Sequence, residues 1–418
     1  MTQAVFIGID VGTSSIKVAA VDPVGKLLAV ASSPMSVDVK RPGWSEQRPE
    51  DWWAGTCSAI KQALSEIDSP EVRGVGLSGQ MHSLVPLDSQ RQVVRPAILW
   101  NDVRSSAEAA YVRETVGNES LRRLAGNPSL EGFTVTKLLW MKNNEPDLFA
   151  QISHMLLAKD YIRYRLTGEL GSEPSDASAT LLFDIVNSRW SDEMCGLLNV
   201  NSELLPPIIE SAQIAGGVTK SAAIATGLAE GVPVVGGGAD NACAAIGAGV
   251  VSAGDALFSV GTSGTVVAPT TLPVTDPEMR IHSMRHATPD TWYLMGVVLS
   301  AGAALDWWRK SSGDATFDDL VAEAAMTSAG SGGVTFLPYL TGERTPHADA
   351  NARGVFFGMH GGTTRGHMTR AVMEGVSFAL RDSLELMTAL DVHPDEAVAV
   401  GGGASSAVWL QMLSDVAN

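Results

Sequence analysis

The feature of this sequence that most limits its fold is a strand–turn–strand pattern that occurs twice. In the first copy, the turn Asp10–Ser14 lies between two apolar, β-rich runs, and in the second copy the turn Gly261–Gly264 does so. Strand patterns alternate with helical patterns in both halves, which predicts an α/β fold. We interpret the repeat as a weak internal duplication. The boundary is expected near Ala245, between domains of residues 1–245 and 246–418.

Composition excludes several classes of protein. At 418 residues, the chain is too long for one ordinary core. The net charge of -17, from 46 acidic and 29 basic residues, argues against a protein that binds nucleic acid. The 3 cysteines cannot form a disulfide framework, and the first residues do not resemble a signal peptide, so we expect a soluble, cytoplasmic protein. The apolar stretch Tyr293–Leu305 is too short to span a bilayer and predicts a buried helix.

Both turns have the composition of a phosphate-binding loop. Their backbone N–H groups and hydroxyls can donate to phosphate oxygens, and their glycines leave room for close approach. One such loop is more often a plain hairpin turn, but two at corresponding positions could together bind a nucleoside triphosphate. The sequence has no P-loop pattern and no GxGxxG fingerprint after the first strand.

Two aspartates follow predicted strands at places where a carboxylate could act on a ligand. Asp10 could hold Mg²⁺, and the alternative is a turn residue that bonds its own backbone. Asp240 follows the glycines 236–238 and could accept a proton from a sugar hydroxyl. Its alternative is the N-cap of a helix that begins at Asn241. The residues alone leave both alternatives open.

Three further segments have the residues of a ligand site. Gln80–His82 combines hydrogen-bonding groups for a polyol with an apolar wall, although a lone histidine is more often a packed core or surface residue. Trp100–Asp102 offers an aromatic face, an amide and a carboxylate, and by itself it is a turn. Gly401–Ser405 would let an adenine lie against bare backbone, and its alternative is a tight strand-to-helix turn.

In this order, these motifs resemble the FGGY family of carbohydrate kinases, and the resemblance covers essentially the whole chain. Phe6–Ser14 looks like the first phosphate hairpin of the family, and Ser78–His82 looks like a substrate loop. Residues 132–144 fit the first family signature, and residues 354–374 fit the second. Similar blocks are Leu157–Tyr161, Ser175–Ser178 and Leu337–Pro346.

The resemblance implies an α/β fold of two actin-like, ribonuclease-H-like domains, with ATP and sugar in the cleft between them. It implies that Asp240 is the proton acceptor and that Asp10 binds Mg²⁺. The residues implied in sugar binding are Gln80, Met81, His82, Trp100, Asp240 and Asn241. The residues implied in ATP binding are Gly12, Thr13, Ser14, Lys17, Gly261, Thr262, Gly302, Asp306, Gly402 and Gly403. Asp306 is the least expected of these, because an acid beside a nucleotide is tolerated only where it faces the base or the ribose.

The reaction implied by the resemblance is the ATP-dependent phosphorylation of D-xylulose to D-xylulose 5-phosphate. Other ketoses and polyols, such as ribulose, gluconate and glycerol, remain open as substrates. An actin-like or Hsp70-like ATPase that binds a polypeptide would share the hairpins but would not use the polyol loop at His82. We expect a small-molecule ketose as the partner, with no nucleic acid or membrane, and a homodimer is a working hypothesis. Family members usually continue past the last residue of this sequence, so we expect the second domain to be incomplete at its C-terminus.

Overall fold

The computed structural model describes residues 3–313 and 315–417. Its strands are β1 (Gln3–Val11), β2 (Ser15–Val21), β3 (Leu27–Pro34), β4 (Glu46–Gln47), β5 (Pro70–Gly79), β6 (Val85–Leu87), β7 (Ala97–Ile98), β8 (His154–Leu156), β9 (Phe183–Asp184), β10 (Arg189–Trp190), β11 (Ile214–Gly217), β12 (Pro233–Val235), β13 (Gly238–Ala239), β14 (Asp255–Val260), β15 (Gly264–Thr270), β16 (His282–Arg285), β17 (Trp292–Val298), β18 (Thr335–Leu337), β19 (Val355–Phe357) and β20 (Glu396–Val400). Its α-helices are α1 (Pro49–Ser65), α2 (Ser106–Val116), α3 (Asn118–Ser120), α4 (Thr134–Asn144), α5 (Pro146–Phe149), α6 (Ala158–Thr167), α7 (Pro174–Ala177), α8 (Asp192–Leu198), α9 (Lys220–Thr226), α10 (Asp240–Gly247), α11 (Gly302–Ser311), α12 (Phe317–Ala325), α13 (Arg365–Ala389) and α14 (Ala407–Ala417). Within the described ranges, no helix has both the length and the apolar character that crossing a lipid bilayer requires.

The first sheet positions one set of the candidate site residues. It has 7 strands in the order β11-β12-β5-β1-β2-β3, with β13 also paired to β5. β1 runs antiparallel to β2 and parallel to β5, and α1 packs against β2 and β3. The carboxyl ends of β1, β5 and β13 therefore meet at one edge of the sheet. The residues of β1 that point into the core are Val5, Ile7, Ile9 and Val11.

The second large sheet contains the second hairpin. It has 5 strands in the order β16-β17-β15-β14-β20. β14 and β15 are antiparallel and are joined by the turn at residues 261–263, while β14 runs parallel to β20. The long helix α13 packs against β15 and β17. The two sheets thus share one arrangement: an antiparallel hairpin, β1–β2 or β14–β15, whose first strand also pairs in parallel with a later strand, β5 or β20. This shared arrangement supports the interpretation of an internal duplication.

The chain forms two compact units, each with its own apolar core. The first unit comprises the chain up to Ala244 together with Met284–Thr291. The second comprises Ala245–Ser283 and the chain from Trp292 onward. The core of the first unit is built from β1, β2 and β5 with α1 and α6, and that of the second from β14, β15 and β17 with α11, α13 and α14.

One prediction of secondary structure is wrong. Tyr293–Leu305, predicted as one buried helix, contains most of β17 and the first turn of α11. A strongly apolar run without charged residues gives no period from which a strand and a helix can be told apart. The stretch Thr134–Arg165 is mostly helical, in α4, α5 and α6, and β8, which pairs with β6, lies between α5 and α6.

Candidate active site

Asp240 lies at the edge of the first sheet, where the strand ends meet. β12 ends at Val235, and β13 leads directly into α10, whose first residue is Asp240. Gly237, between these strands, has a φ of +85°, and a Cβ there would lie 2.5 Å from the carbonyl oxygen of Leu77. Only glycine fits this turn, after which β13 continues parallel to β5, as β12 does before it. The Asp240 segment thereby comes next to the loop that follows β5, where the Sδ of Met81 lies 3.7 Å from the Nδ2 of Asn241.

The carboxyl group of Asp240 has the properties of a proton acceptor. Burial raises the pKa of Asp240 to about 7, and the hydrogen bonds from Asn241 oppose this shift while the negative charge of Asp10 adds to it. An acid with this pKa can take up and release a proton near neutral pH, which a general base must do. The side chain is only half-buried, so a substrate could reach it.

The hydrogen bonds of Asp240 also bear on the alternative of a helix N-cap. Its Oδ1 accepts hydrogen bonds from the backbone N–H of Asn241 at 2.7 Å and from the Nδ2 of Asn241 at 3.0 Å. An N-cap side chain instead accepts from the N–H two or three residues further on. Asp240 is the first helical residue, and among the described residues its carboxylate bonds only to its neighbour Asn241. The carboxylate therefore does not cap the helix.

Asp10 is the last but one residue of β1 rather than a turn residue. Burial raises its pKa, while Lys17, its cross-strand partner on β2, and a hydrogen bond with Ser78 lower it. In the described part of the chain, no cluster of three or more His, Cys, Asp or Glu could hold a metal by itself. A single carboxylate fits Mg²⁺ bound largely through water and phosphate oxygens. The turn beyond it is tight, because a Cβ at Gly12 would lie 2.8 Å from the carbonyl oxygen of Ser15, and Ser14 is exposed.

Thr13 and Gln80 join the first hairpin to the loop after β5. The hydroxyl of Thr13 donates to Oε1 of Gln80 at 3.1 Å and accepts the indole N–H of Trp100 at 2.9 Å. The Nε2 of Gln80 donates to Oε1 of Gln47 at 3.2 Å, and the Nε2 of Gln47 donates to the carbonyl oxygen of Thr13 at 2.7 Å. The structure thus brings three predicted residues together, and Gln47, which the sequence did not single out, adds a second link between Gln80 and Thr13. The Gln80 side chain is buried in this network, where it holds the Thr13 hydroxyl.

Met81 and His82 provide the apolar wall and the imidazole of the loop. Met81 is buried, and His82 has a φ of +66°, which is uncommon for a residue with a Cβ and occurs where structure or function demands it. The Nδ1 of His82 lies 2.8 Å from the carbonyl oxygen of Ala179, so Nδ1 carries a proton and donates it in this hydrogen bond. The ring also packs edge-on against Phe133, with centroids 4.7 Å apart.

Asp102 does not bind a ligand hydroxyl, contrary to the expectation for the Trp100–Asp102 segment. It is fully buried, and its Oδ2 accepts hydrogen bonds from Nη2 of Arg104 at 2.7 Å and from the backbone N–H of Ser45 at 2.6 Å. Arg104 also donates from Nε to Oδ1, which completes a two-pronged ion pair. The carboxylate therefore anchors the turn that presents Trp100, whose side chain is exposed.

The predicted nucleotide-binding residues of the second unit line one cavity of about 1010 Å³. The turn after β14, the start of α11 and the turn after β20 form its wall. The predicted residues in the lining are Gly261, Thr262, Gly302, Asp306, Gly402 and Gly403. A Cβ at Gly302 would lie 2.5 Å from the carbonyl oxygen of Gly261, and one at Gly403 would lie 2.4 Å from Cγ1 of Val260. Glycine is thus required at both places by the backbone packing that shapes the cavity.

Asp306 is compatible with a bound nucleotide because its charge is compensated. It forms ion pairs with Lys310 at 2.7 Å and Arg309 at 3.1 Å, and the hydrogen bond from Lys310 lowers its pKa. The cavity also has two half-exposed aromatic walls, Trp307 and Phe317, that the sequence analysis missed. The adjacent tryptophans at 307 and 308 were the available signal, since two neighbours on a helix cannot both face the core.

Comparison with known proteins agrees with this architecture. The model of the N-terminal domain of the FGGY family of carbohydrate kinases matches residues 5–247, and that of the C-terminal domain matches residues 256–418. The chain therefore belongs to the FGGY family of carbohydrate kinases, and it is a sugar kinase with the two-domain fold of that family. The predicted family and α/β fold class are confirmed.

Individual relatives of this chain include xylulose kinases and a gluconate kinase. The xylulose kinase of Bacillus subtilis (strain 168) is 41% identical over 415 residues, which cover 99% of this chain and 83% of the relative. The crystal structure of xylulose kinase from Rhodospirillum rubrum has a TM-score of 0.92 and 31% identity, and it covers 98% of this chain and 84% of that one. A gluconate kinase structure from Lactobacillus acidophilus has a TM-score of 0.95 at 28% identity, over 100% of this chain and 85% of that one.

Proposed function

We propose that this protein transfers the γ-phosphoryl group of ATP to the terminal hydroxyl of D-xylulose and releases ADP and D-xylulose 5-phosphate. The observation that carries the proposal is the half-buried Asp240, with its pKa raised to about 7, beside the loop of Met81 and His82. The acceptor sugar is inferred from the xylulose kinases that match nearly the whole chain.

In this mechanism, Asp240 accepts the proton of the terminal hydroxyl as that oxygen attacks phosphorus. Burial makes the carboxyl group basic enough for this task, and the two bonds from Asn241 hold it in one orientation. A positioned general base contributes about 10²–10⁴-fold to the rate. Phosphoryl transfer otherwise depends on alignment and on stabilisation of charge on the equatorial oxygens.

The polar groups around Asp240 suit a ketose. The imidazole of His82 and the amide of Asn241 can bond hydroxyls, while Met81 offers an apolar contact to the carbon chain. Trp100 presents an exposed ring face, held in place by its bond to Thr13. In this proposal, these four residues orient the sugar so that its terminal hydroxyl faces Asp240.

ATP is assigned to the cavity of the second unit, with its phosphates toward the glycine-rich turns. Backbone at Gly302 and Gly403 lets the nucleotide approach closely, and Trp307 and Phe317 offer aromatic faces to the base. Gly12, Thr13, Ser14 and Lys17 on the first hairpin are assigned to the phosphates. A bound Mg²⁺, held by Asp10 and by phosphate oxygens, would neutralise phosphate charge.

The test is an ADP-release assay coupled to NADH oxidation across a panel of pentuloses, hexuloses, polyols and gluconate. We expect the largest kcat/KM with D-xylulose, and little ADP release without a sugar. Gluconate is the most informative competitor, because a gluconate kinase shares this fold at 28% identity. A larger kcat/KM for gluconate or for another sugar would overturn the substrate assignment. Sugar-independent ATP turnover stimulated by unfolded polypeptide would overturn the kinase mechanism and favour the Hsp70-like alternative.

A further inference from the structure

A cluster of buried charges lies beneath the segment that carries Asp240. Its members come from α6 and from the turn that begins α7, and they are Lys159, Asp160, Arg163, Glu173 and Asp176, all with no exposed side-chain surface. The Nζ of Lys159 lies 2.8 Å from Asp160, 3.0 Å from Asp176 and 3.3 Å from Glu173. Arg163 pairs with Asp160 at 3.0 Å.

Stability alone does not account for this cluster. Burying charges is costly, and a buried ion-pair group often stabilises a fold no better than apolar side chains of the same volume. Burial, together with the negative charges of Asp160 and Glu173, raises the pKa of Asp176 to about 8. Two members of the cluster also bond outside it: Arg163 donates to Gly236, and Glu173 accepts hydrogen bonds from Ser175 and Ser211, which contact the glycine segment.

Three backbone groups before Asp240 are held by this cluster. The Nη1 of Arg163 donates to the carbonyl oxygen of Gly236 at 2.6 Å. The N–H of Gly237 donates to the carbonyl oxygen of Ser211 at 2.9 Å, and the hydroxyl of Ser211 in turn donates to Glu173 at 2.8 Å.

The third group is the one next to Asp240. The N–H of Ala239 donates to the Oγ of Ser175 at 2.9 Å, and the Ser175 hydroxyl donates to the carboxylate of Glu173, whose oxygens lie 2.8 and 2.9 Å away. The Glu173 carboxylate also accepts the backbone N–H groups of Ser175 and Asp176. The orientation of the Ser175 hydroxyl is thus fixed, and its lone pairs point at the residue that precedes Asp240.

We propose that Ser175, oriented by Glu173, is a positioning residue for Asp240: it fixes the backbone of Ala239 and with it the direction of the carboxyl group. This inference rests on the proposed role of Asp240 as general base. Glycine has no side chain to hold the segment, and three consecutive glycines allow many backbone conformations. A bond from outside the segment is therefore needed to keep the carboxylate in line with the attacking oxygen, and a misplacement of about 1 Å can lower a rate by about 10²-fold.

The test compares three variants of the whole 418-residue chain as purified protein. Ser175→Ala removes only the hydroxyl, and Ser175→Thr keeps it. Thr226→Val is the matched control. Like that of Ser175, the buried Thr226 hydroxyl donates to an oxygen and accepts a backbone N–H, but its partners, the carbonyl oxygen of Ala222 and the N–H of Leu228, lie in α9 and the turn after it. Steady-state kinetics is measured per folded enzyme, with the folded fraction taken from a thermal melt.

We expect Ser175→Ala to lower kcat by about 10–100-fold with KM for ATP changed by less than about twofold, because only the base is displaced. Ser175→Thr should recover most of the loss, and Thr226→Val should keep the kcat of the unaltered protein. An equal kcat per folded molecule in Ser175→Ala, or an equal loss in Thr226→Val, would overturn the inference.

Amide hydrogen exchange supplies a readout that does not depend on catalysis. Peptides that contain Ala239 should exchange faster in Ser175→Ala than in the unaltered protein, whereas Thr226→Val should leave them unchanged. Unchanged exchange at Ala239 would also overturn the inference. If Ser175→Ala shows the faster exchange but keeps full activity while Asp240→Asn is also fully active, the failure lies in the assignment of the base and not in the contact of Ser175.

Discussion

The two hairpins have similar sequences but are used differently in the two units. In the first unit, the Thr13 hydroxyl is engaged by side chains, the indole of Trp100 and the amide of Gln80. In the second unit, backbone groups hold the equivalent turn: the N–H of Gly302 donates to the carbonyl oxygen of Gly261 at 2.7 Å, and those of Ala301 and Ala303 donate to the carbonyl oxygen of Thr262 at 3.0 Å. One turn is fixed by polar side chains, and the other by the start of a helix packed onto it.

This difference corresponds to two kinds of recognition. Fixed polar side chains reject a ligand that lacks the matching hydroxyl, because buried groups would be left unpaired. A cavity bounded by glycine backbone and aromatic rings accepts a ligand by shape. We therefore expect changes in the first unit to alter kcat and sugar selectivity, and changes around the cavity of the second unit to alter the affinity for ATP.

The largest effect is expected from the first unit, at Asp240. Asp240→Asn should lower kcat by about 10²–10⁴-fold, because the amide cannot accept the proton, while KM for ATP stays nearly constant. In the unaltered protein, kcat should fall as the pH drops below about 7, where Asp240 becomes protonated. Asp68→Asn, a change of an exposed carboxyl group, is the control. An Asp240→Asn enzyme with full kcat would end the assignment of the base.

A smaller effect is expected from the backbone wall of the second unit. Gly302→Ala places a methyl group 2.5 Å from the Gly261 carbonyl oxygen, so the turn must shift. Overpacking of this kind costs about 1–3 kcal/mol, and we expect KM for ATP to rise about tenfold with KM for the ketose unchanged. Gly361→Ala, where a Cβ meets no atom within 4 Å, should leave both constants unchanged. Equal changes in both KM values after Gly302→Ala would contradict the expectation that the cavity of the second unit governs the affinity for ATP alone.

The side-chain network of the first hairpin should give a more modest change. Trp100→Phe removes the N–H that binds Thr13, and one hydrogen bond of about 0.5–1.5 kcal/mol corresponds to a KM for the ketose that is about 2–10-fold higher. Trp190→Phe, which removes the N–H donated to the carbonyl oxygen of Pro206, is the matched control in the same unit. If KM for ATP rises and KM for the ketose does not, Trp100 belongs to the nucleotide.

A further expected effect concerns stability rather than catalysis. Because the pKa of Asp240 is raised in the folded state, the folded protein keeps a proton that the unfolded chain has already lost as the pH rises from about 4 to about 7. Stability therefore falls through this window and stays lower above it. Asp240→Asn should increase the free energy of unfolding by about 1–3 kcal/mol at pH 8 and by much less at pH 4. Denaturant titrations at the two pH values measure the free energy of unfolding. An equal gain in stability at both pH values would show that burial does not raise the pKa of Asp240.

Much of the fold and of the site was predictable because local sequence patterns indicate it. The hairpins, α1 and the strand before Asp240 follow from apolar runs, glycine-rich turns and acidic residues after a proline. The residues around the cavity of the second unit were placed by the resemblance, since glycines far apart in sequence give no local sign that they share one wall. The prediction of one helix over Tyr293–Leu305 was wrong because a strongly apolar run without charged residues fits a buried strand as well as a helix.

The remaining residues depend on tertiary contacts that sequence does not reveal. Asp102 has the residue type of a ligand-binding group, and only its pairing with Arg104 shows that it is structural. Gln47 and Ser175 are ordinary polar residues in sequence, and their importance lies in partners that are 33 and 64 positions away. The role of Trp307 needed the helix to be in place before one of two tryptophans could be seen to line a cavity.

The short stretch Met284–Thr291 belongs to the first unit although it follows the start of the second. It contributes real contacts there: the N–H of Arg285 donates to the Ser178 hydroxyl at 3.1 Å, and a Cβ at Gly238 would lie 3.0 Å from that of Ala287. A gene fusion or recombination event with a single crossover near Ala244 would therefore separate the glycine segment before Asp240 from part of its packing. Exchange of halves between sugar kinases of this kind should succeed only when Met284–Thr291 and the chain up to Ala244 come from the same parent.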